Sequence, residues 1–219
     1  MCFSTTASFV VGLSLSAVGV VALRRAEEPR RFPFASIPLV FGVQQLIEGV
    51  VWLSLTHPDY ATYRWASSCV YLIFAQAIWP ICVPFSIMLM EEDRQRKRIL
   101  LFLTIMGSLV AIFLLYYIFL NHSTGEVRDH HIHYGLKTPS LLQVFPGVLY
   151  LLATVIPPFI SSVKRMSWLG WSSLLSLLVS VFYFEQSFVS VWCFFAAIIS
   201  VVVVWVLNGS DNTVKVIIR

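Results

Sequence analysis

The feature that most constrains this chain is a series of long apolar stretches that leaves little sequence for anything else. Seven can be drawn between short polar connections, and they cover residues 5–23, 33–55, 66–90, 99–120, 140–162, 167–184 and 187–207. A helix needs about 20 apolar residues to cross the hydrocarbon core of a bilayer. The lengths predict an all-α, polytopic membrane helix bundle, most simply of seven transmembrane helices. Because only Glu185 and Gln186 interrupt the last two stretches, a six-helix bundle with one long bent segment is the alternative.

The scarcity of charge agrees with a membrane location. Charged residues make up 12% of the chain, whereas soluble proteins carry about 25%. We therefore expect one transmembrane domain over residues 1–207 and a short cytoplasmic tail over 208–219. The first stretch has its basic residues, Arg24 and Arg25, after it rather than before it. A secretory signal peptide has the opposite order, so this stretch is predicted to be a retained helix.

The distribution of Lys and Arg predicts the orientation of the bundle. Of the fifteen basic residues, only Arg64, Arg128 and Lys137 fall in the connections after the second and fourth stretches. The other twelve lie in the alternate connections and the tail. Short cytoplasmic connections are enriched in Lys and Arg. This asymmetry predicts that the N-terminus lies outside and the C-terminus in the cytoplasm.

Glu48 is the only acidic residue well inside a predicted span, and it is the leading candidate for a catalytic group. Gln44 and Gln45 precede it by four and three residues and Trp52 follows by four, so these side chains share one side of a helix. An intramembrane carboxylate is costly and should face the protein interior. The stripe indicates a ligand-binding site. The alternative is a hydrogen-bond network that only holds helices together.

Three cysteines fall at the same outer level as this carboxylate. Counting 1.5 Å per residue places Glu48 about 10 Å, Cys193 about 9 Å and Cys69 about 5 Å below the outer boundary. Cys2 lies at the outer N-terminus. An outside compartment permits disulfides, so Cys2 could pair with Cys69 or Cys193. The same thiols are also candidate metal ligands.

All five histidines are predicted to lie outside. His57 is in the connection after the second stretch, and the other four are in the connection after the fourth: His122, His130, His131 and His133. In an extended segment, His131 and His133 would point the same way. Imidazole, thiolate and carboxylate are ligands of zinc, copper and iron. The sequence thus offers a candidate transition-metal site made of Cys2, Glu48, His130, His131, His133 and Cys193. No fixed C-x-x-C or H-E-x-x-H spacing supports it, and solvated loop histidines are the alternative.

Further polar and aromatic residues complete the candidate ligand site. Gln76 and Trp79 lie in the third stretch, where Gln76 is level with Gln44 and could hydrogen-bond to it at the floor of an outward-facing cavity. Ser190 begins an aromatic-rich segment that would also suit an interfacial belt. Nothing in the chain resembles a Ser/His/Asp triad, a nucleotide-binding loop or a nucleic-acid surface.

Several segments together resemble a family of bacterial multi-helix integral membrane proteins of unknown function. The most specific are Met-Cys-Phe-Ser at residues 1–4 and Gln-Gln-x-x-Glu-Gly at 44–49; the others are 6–9, the remainder of 41–52, 79–80, the histidine–tyrosine loop and 190–197 with its Trp-Cys-Phe-Phe element. The resemblance covers nearly the whole chain and implies a membrane location, but no activity. Microbial rhodopsins need a lysine in the last helix, which residues 187–207 lack. Zinc hydrolases similar to alkaline ceramidases use intramembrane histidines, which are also missing.

Three hypotheses about function follow from these patterns. The first is a small membrane metalloenzyme with a polar site in the outer half of the bundle. The second is a transporter, channel or sensor that binds a proton, a cation or a small ligand at Glu48; the apolar inner halves of the second and seventh stretches argue against a continuous path. The third is a structural or assembly partner without catalytic activity.

Overall fold

The computed structural model describes residues 4–128, 131–134, 140–183, 195 and 199–208. Each predicted apolar stretch is largely helical over the residues described, which confirms the all-α fold class. The helices are α1 (Thr5–Arg25), α2 (Phe32–Ala35), α3 (Ile37–Thr56), α4 (Arg64–Ile73), α5 (Trp79–Met90), α6 (Arg94–Leu120), α7 (Ser140–Val155), α8 (Pro157–Ile160), α9 (Met166–Tyr183) and α10 (Ile199–Asn208).

Four helical segments are long and apolar enough to cross a membrane: Thr5–Arg25, Pro29–Thr56, Pro58–Met90 and Arg94–Leu120. Three shorter apolar helices, Val144–Val155, Met166–Phe182 and Ile199–Asn208, match the remaining stretches. Large apolar side chains such as Phe102, Leu109 and Ile112 are mostly exposed on the outside of this bundle. The fold is therefore compatible with a bilayer environment.

Helices α1 and α3 pack antiparallel with their backbones unusually close, because glycines lie at the contact. A Cβ atom on Gly12 would lie 2.9 Å from the backbone nitrogen of Leu46, and one on Gly42 would lie 2.7 Å from that of Ser16. Small residues at such crossings let membrane helices approach closely. This contact fixes α3 against the first helix along most of its length.

The segment between α4 and α5 is a single helical turn of π geometry, Phe74–Ile78. Pro80 follows it and lacks the N–H that would serve a carbonyl in the preceding turn. Tyr150 of α7 compensates, since its hydroxyl donates to the Ala75 carbonyl at 2.7 Å. Gly107 of α6 packs directly on the Pro80 carbonyl. The irregular turn is thus held by two neighbouring helices.

One end of the bundle, here called the basic end, gathers the connections that are rich in arginine. Arg96 Nη1 donates to the Ile160 carbonyl at 3.1 Å, and Arg165 Nη1 donates to the Trp205 carbonyl at 3.2 Å. The last turn of α1 reaches the same place, because Arg25 Nη1 lies 3.5 Å from Asn208 Oδ1. These contacts bring three of the predicted cytoplasmic connections and the end of α10 together.

The opposite end, here called the hairpin end, is covered by two short antiparallel strands, β1 (Gly125–Arg128) and β2 (His131–Tyr134). Ile132 is 1% exposed and packs in a cluster with Trp52 and Tyr71. The hairpin is tied down by Gly125, whose N–H donates to Ser68 Oγ at 3.1 Å. These two strands are a small element beside the helices that make up most of the described residues.

Candidate functional site

The polar stripe predicted on the second apolar stretch is completely buried. Gln44, Gln45, Glu48 and Trp52 on α3 are all at most 4% exposed. Their spacing of three or four residues aligns them on one side of the helix, toward the bundle and away from the outer surface. Because Glu48 lies eight residues before Thr56, where α3 ends, it sits about 12 Å inside the hairpin end.

Glu48 receives a hydrogen bond from the same stripe. Gln45 Nε2 donates to Glu48 Oε2 at 2.9 Å. In the middle of a regular helix the backbone N–H groups are already used by the helix. A carboxylate there must be served by side chains or by bound molecules, and Gln45 is the donor that the described residues provide on the same helix.

Gln44 is joined to the neighbouring helix by a different residue from the one expected. Trp79 Nε1 donates to Gln44 Oε1 at 2.7 Å, and the Trp79 ring stacks on Phe41 with 3.7 Å between centroids. The structure records no hydrogen bond between Gln44 and the half-buried Gln76, the partner suggested from the sequence. The π turn changes the register between α4 and α5, so that Trp79 is the residue facing Gln44.

Two buried polar groups, one in this stripe and one on α1, have unused hydrogen-bonding capacity. Trp52 Nε1 and Ser8 Oγ are buried, and neither has a hydrogen-bond partner among the described residues. Ser8 reaches the same level as Glu48 because the antiparallel packing of α1 and α3 sets Phe9 beside Gly49. Leaving a buried polar group unsatisfied costs about 1–3 kcal/mol, so such positions indicate where water or a ligand binds.

The hairpin covers Trp52 at this end of the bundle. Tyr134 stacks on Tyr71 with 4.8 Å between ring centroids and 16° between their planes. Side chains of a strand alternate between its two faces. Ile132 faces Trp52 and Tyr71, so His131 and His133 lie together on the opposite face of β2.

The metal site is tested only in part by this arrangement. Among the residues that the structure describes, no three His, Cys, Asp or Glu side chains are close enough to hold a metal ion. Cys69 and Cys82 are free thiols, so Cys69 is not in the disulfide considered from sequence. Four of the predicted site residues lie outside the described residues: Cys2, His130, Ser190 and Cys193.

Glu91, a second buried carboxylate that the sequence reasoning missed, lies at the basic end. It is 2% exposed and closes α5. Its Oε2 accepts hydrogen bonds from the Ser162 N–H at 2.7 Å and the Ser161 hydroxyl at 3.1 Å. Its Oε1 accepts from the Ser162 hydroxyl and from two backbone N–H groups, those of Glu92 and Asp93, at 3.1 and 3.2 Å.

These donors set the charge state of Glu91. Burial by itself raises the pKa of this carboxyl, but the hydrogen bonds from Ser162, Asp93 and Ser161 outweigh burial and lower the pKa below its ordinary value. Glu91 is therefore ionised at neutral pH. Its hydrogen bonds hold the connection after α8 against the turn between α5 and α6. No local pattern links residue 91 to residues 161 and 162, and the doublet of serines in a connection is the only signal in the sequence.

Comparison with known proteins adds a family but no activity. Searches of curated proteins and of solved structures gave no match. The profile of one family matches residues 1–216, which is nearly the entire chain. This agrees with the resemblance carried by the Met-Cys-Phe-Ser and Gln-Gln-x-x-Glu-Gly elements. The chain belongs to DUF6629, a family of unknown function.

Proposed function

We propose that this chain is an integral membrane protein that crosses the bacterial inner membrane seven times, with the N-terminus outside. The four long apolar helices and three shorter ones support this count. The contacts that collect Arg25, Arg96 and Arg165 at one end support a cytoplasmic basic end. The hairpin end would then face the outside.

We propose further that the protein binds a small polar ligand between Glu48 and the hairpin. The observation that carries this proposal is a buried carboxylate one helical turn from a buried indole N–H that has no acceptor among the described residues. Intramembrane ionisable residues mark ligand and ion sites more often than simple packing. The ligand would present a donor or a positive charge to Glu48 and an acceptor to Trp52.

Mass spectrometry of protein purified gently from membranes tests the binding site. Small molecules and metals retained by the wild type are compared with those retained by Glu48→Gln, which keeps the side-chain shape and removes the charge. We expect one small polar molecule per chain in the wild type and at least about a tenfold loss in Glu48→Gln, the usual effect of losing a charged hydrogen bond.

Glu126→Gln is the matched control, because Glu126 is an exposed carboxylate at the same end of the bundle. It should retain the molecule as the wild type does. Equal retention by Glu48→Gln and the wild type would refute the site. A flux across liposomes that depends on Glu48 would assign the site to transport rather than to catalysis.

A small membrane metalloenzyme is the second candidate, and one observation favours it. His131 and His133 lie on the same face of β2, the arrangement expected for an H-x-H pair of ligands. Because these histidines lie on the face of β2 opposite Ile132, the further ligands of zinc, copper or iron would come from Cys2, His130 or Cys193, which lie outside the described residues. Metal analysis of the wild type and of His131→Ala tests it. A wild type without stoichiometric metal would exclude this version.

A further inference from the structure

At the basic end, Arg165 has a backbone conformation that residues other than glycine rarely adopt. Its φ angle is 67°, and among the described residues only His122 is also non-glycine with positive φ. Such strain persists where the surroundings hold it. Here the guanidinium donates to the Trp205 carbonyl at 3.2 Å, and its Cζ lies 4.5 Å from the centre of the Trp205 ring.

A second arginine and a second tryptophan border the same place. Trp168 packs edge-on to Trp205 with 6.1 Å between centroids, and both rings are exposed, by 59% and 41%. Arg25 reaches Asn208, which lies three residues after Trp205 and so about 4.5 Å further along α10. We call Arg25, Arg165, Trp168 and Trp205 the arginine–tryptophan corner.

Capping of α10 does not account for the whole arrangement. Arginines near a helix C-terminus hydrogen-bond its last carbonyls. Arg165 does so through one nitrogen, and Arg25 donates through one nitrogen to the side-chain oxygen of Asn208. A guanidinium has five N–H donors. Among the described residues, neither Arg25 nor Arg165 forms an ion pair with a carboxylate. Positive charge and donors therefore remain beside two exposed indole rings.

We propose that the arginine–tryptophan corner binds the headgroup of an anionic phospholipid. The phosphate accepts hydrogen bonds from the remaining guanidinium N–H groups, which is the charge-assisted pairing arginine favours. Indole rings lie at the headgroup level of membranes. Val201, one turn before Trp205, is 66% exposed and continues the surface toward the bilayer core, where an acyl chain would lie. This inference does not depend on the ligand proposed at Glu48.

Native mass spectrometry of the full-length protein in detergent, titrated with phosphatidylglycerol or phosphatidylcholine, tests the proposal. We expect the wild type to prefer phosphatidylglycerol and Arg165→Gln to lose about fivefold of that preference, the effect of one basic contact with an anionic lipid. Arg25→Gln should act in the same direction. Added salt should weaken the preference, since it screens exposed charges.

Arg128→Gln is the control, because Arg128 is 60% exposed on the hairpin, at the far end. A preference lowered equally by Arg128→Gln would show non-specific charge attraction and overturn the proposal. An unchanged preference in Arg165→Gln would overturn it too. The proposal would also be overturned if the wild type were a dimer without lipid preference and Arg165→Gln were a monomer. The corner would then bind a second copy of the chain. If Arg165→Gln does not fold, the lipid preference of Arg25→Gln, a substitution at an exposed residue, tests the proposal instead.

Discussion

Two buried carboxylates, one in each half of the molecule, are accommodated in opposite ways. Glu91 ends a helix at the basic end, and backbone N–H groups and serine hydroxyls of two connections converge on it. Glu48 lies in the interior of α3, and its donor on that helix is the side chain of Gln45. Both are at most 2% exposed, so burial alone does not distinguish their roles.

The difference follows from where backbone donors are available. At a helix end the connections still have N–H groups to offer, and a carboxylate there can be satisfied as part of the fold. In a helix interior those groups are used, so a carboxylate depends on side chains or on something bound. Position within the helix therefore distinguishes the carboxylate that the fold satisfies from the one at which we propose a ligand.

The largest expected effect is loss of the structural carboxylate. Glu91→Ala removes the acceptor of five hydrogen bonds, and the Ser162 N–H loses the carboxylate to which it donates. We therefore expect the free energy of unfolding to fall by about 3 kcal/mol. Equilibrium unfolding in mixed detergent micelles measures it. Glu92→Ala, an exposed neighbour, should change stability by less than about 0.5 kcal/mol. Equal losses from the two variants would remove the distinction drawn for Glu91.

A paired substitution tests the tryptophans of the Glu48 half. Trp79→Phe removes the hydrogen bond to Gln44, whereas Trp52→Phe removes an N–H without a partner among the described residues. Both lose the same ring volume, so the difference isolates the hydrogen bond. We expect Trp79→Phe to be about 1 kcal/mol more destabilising in the same unfolding assay. Equal destabilisation would mean that Trp52 has an acceptor within the folded chain.

The smallest effect concerns pH. The pKa of Glu91 is lowered by folding, so its contribution to stability is complete above its unfolded pKa and is lost as pH falls through the folded value. The stability gap between the wild type and Glu91→Gln should be constant near neutral pH and narrow below about pH 4.5. Unfolding at a series of pH values measures it. A gap that widens on acidification would reverse the assigned direction.

Sequence patterns predicted the helices well because a membrane-compatible helix is a local property. The predicted stretch 5–23 corresponds to the helix Thr5–Arg25, and the predicted stretch 99–120 corresponds to the apolar part of the helix Arg94–Leu120. The interruptions followed proline: α3 begins only at Ile37, just before Pro38, and α7 stops before Pro157. The seven-helix count and the orientation stay predictions.

The site was predicted only where it depended on one helix. The buried stripe from Gln44 to Trp52 follows from spacing alone. The bond from Trp79 to Gln44 spans 35 residues, and it depends on a π turn that no composition signal marks. The bonds between Glu91 and Ser162 span 71 residues. Such contacts arise from how helices pack together, which a single sequence does not encode locally.

The glycine contact between α1 and α3 has a consequence for how the chain is assembled. Inside a bilayer no hydrophobic force pushes helices together, so their association relies on close van der Waals contact. Gly12 and Gly42 supply that contact within the first 56 residues. We expect the pair to enter the membrane as one helical hairpin, with Ser8 at about the level of Glu48 from the start. The stripe of Gln44 and Glu48 lies on another side of α3, toward Trp79, so the costly carboxylate would be covered only when the later helices pack against this pair.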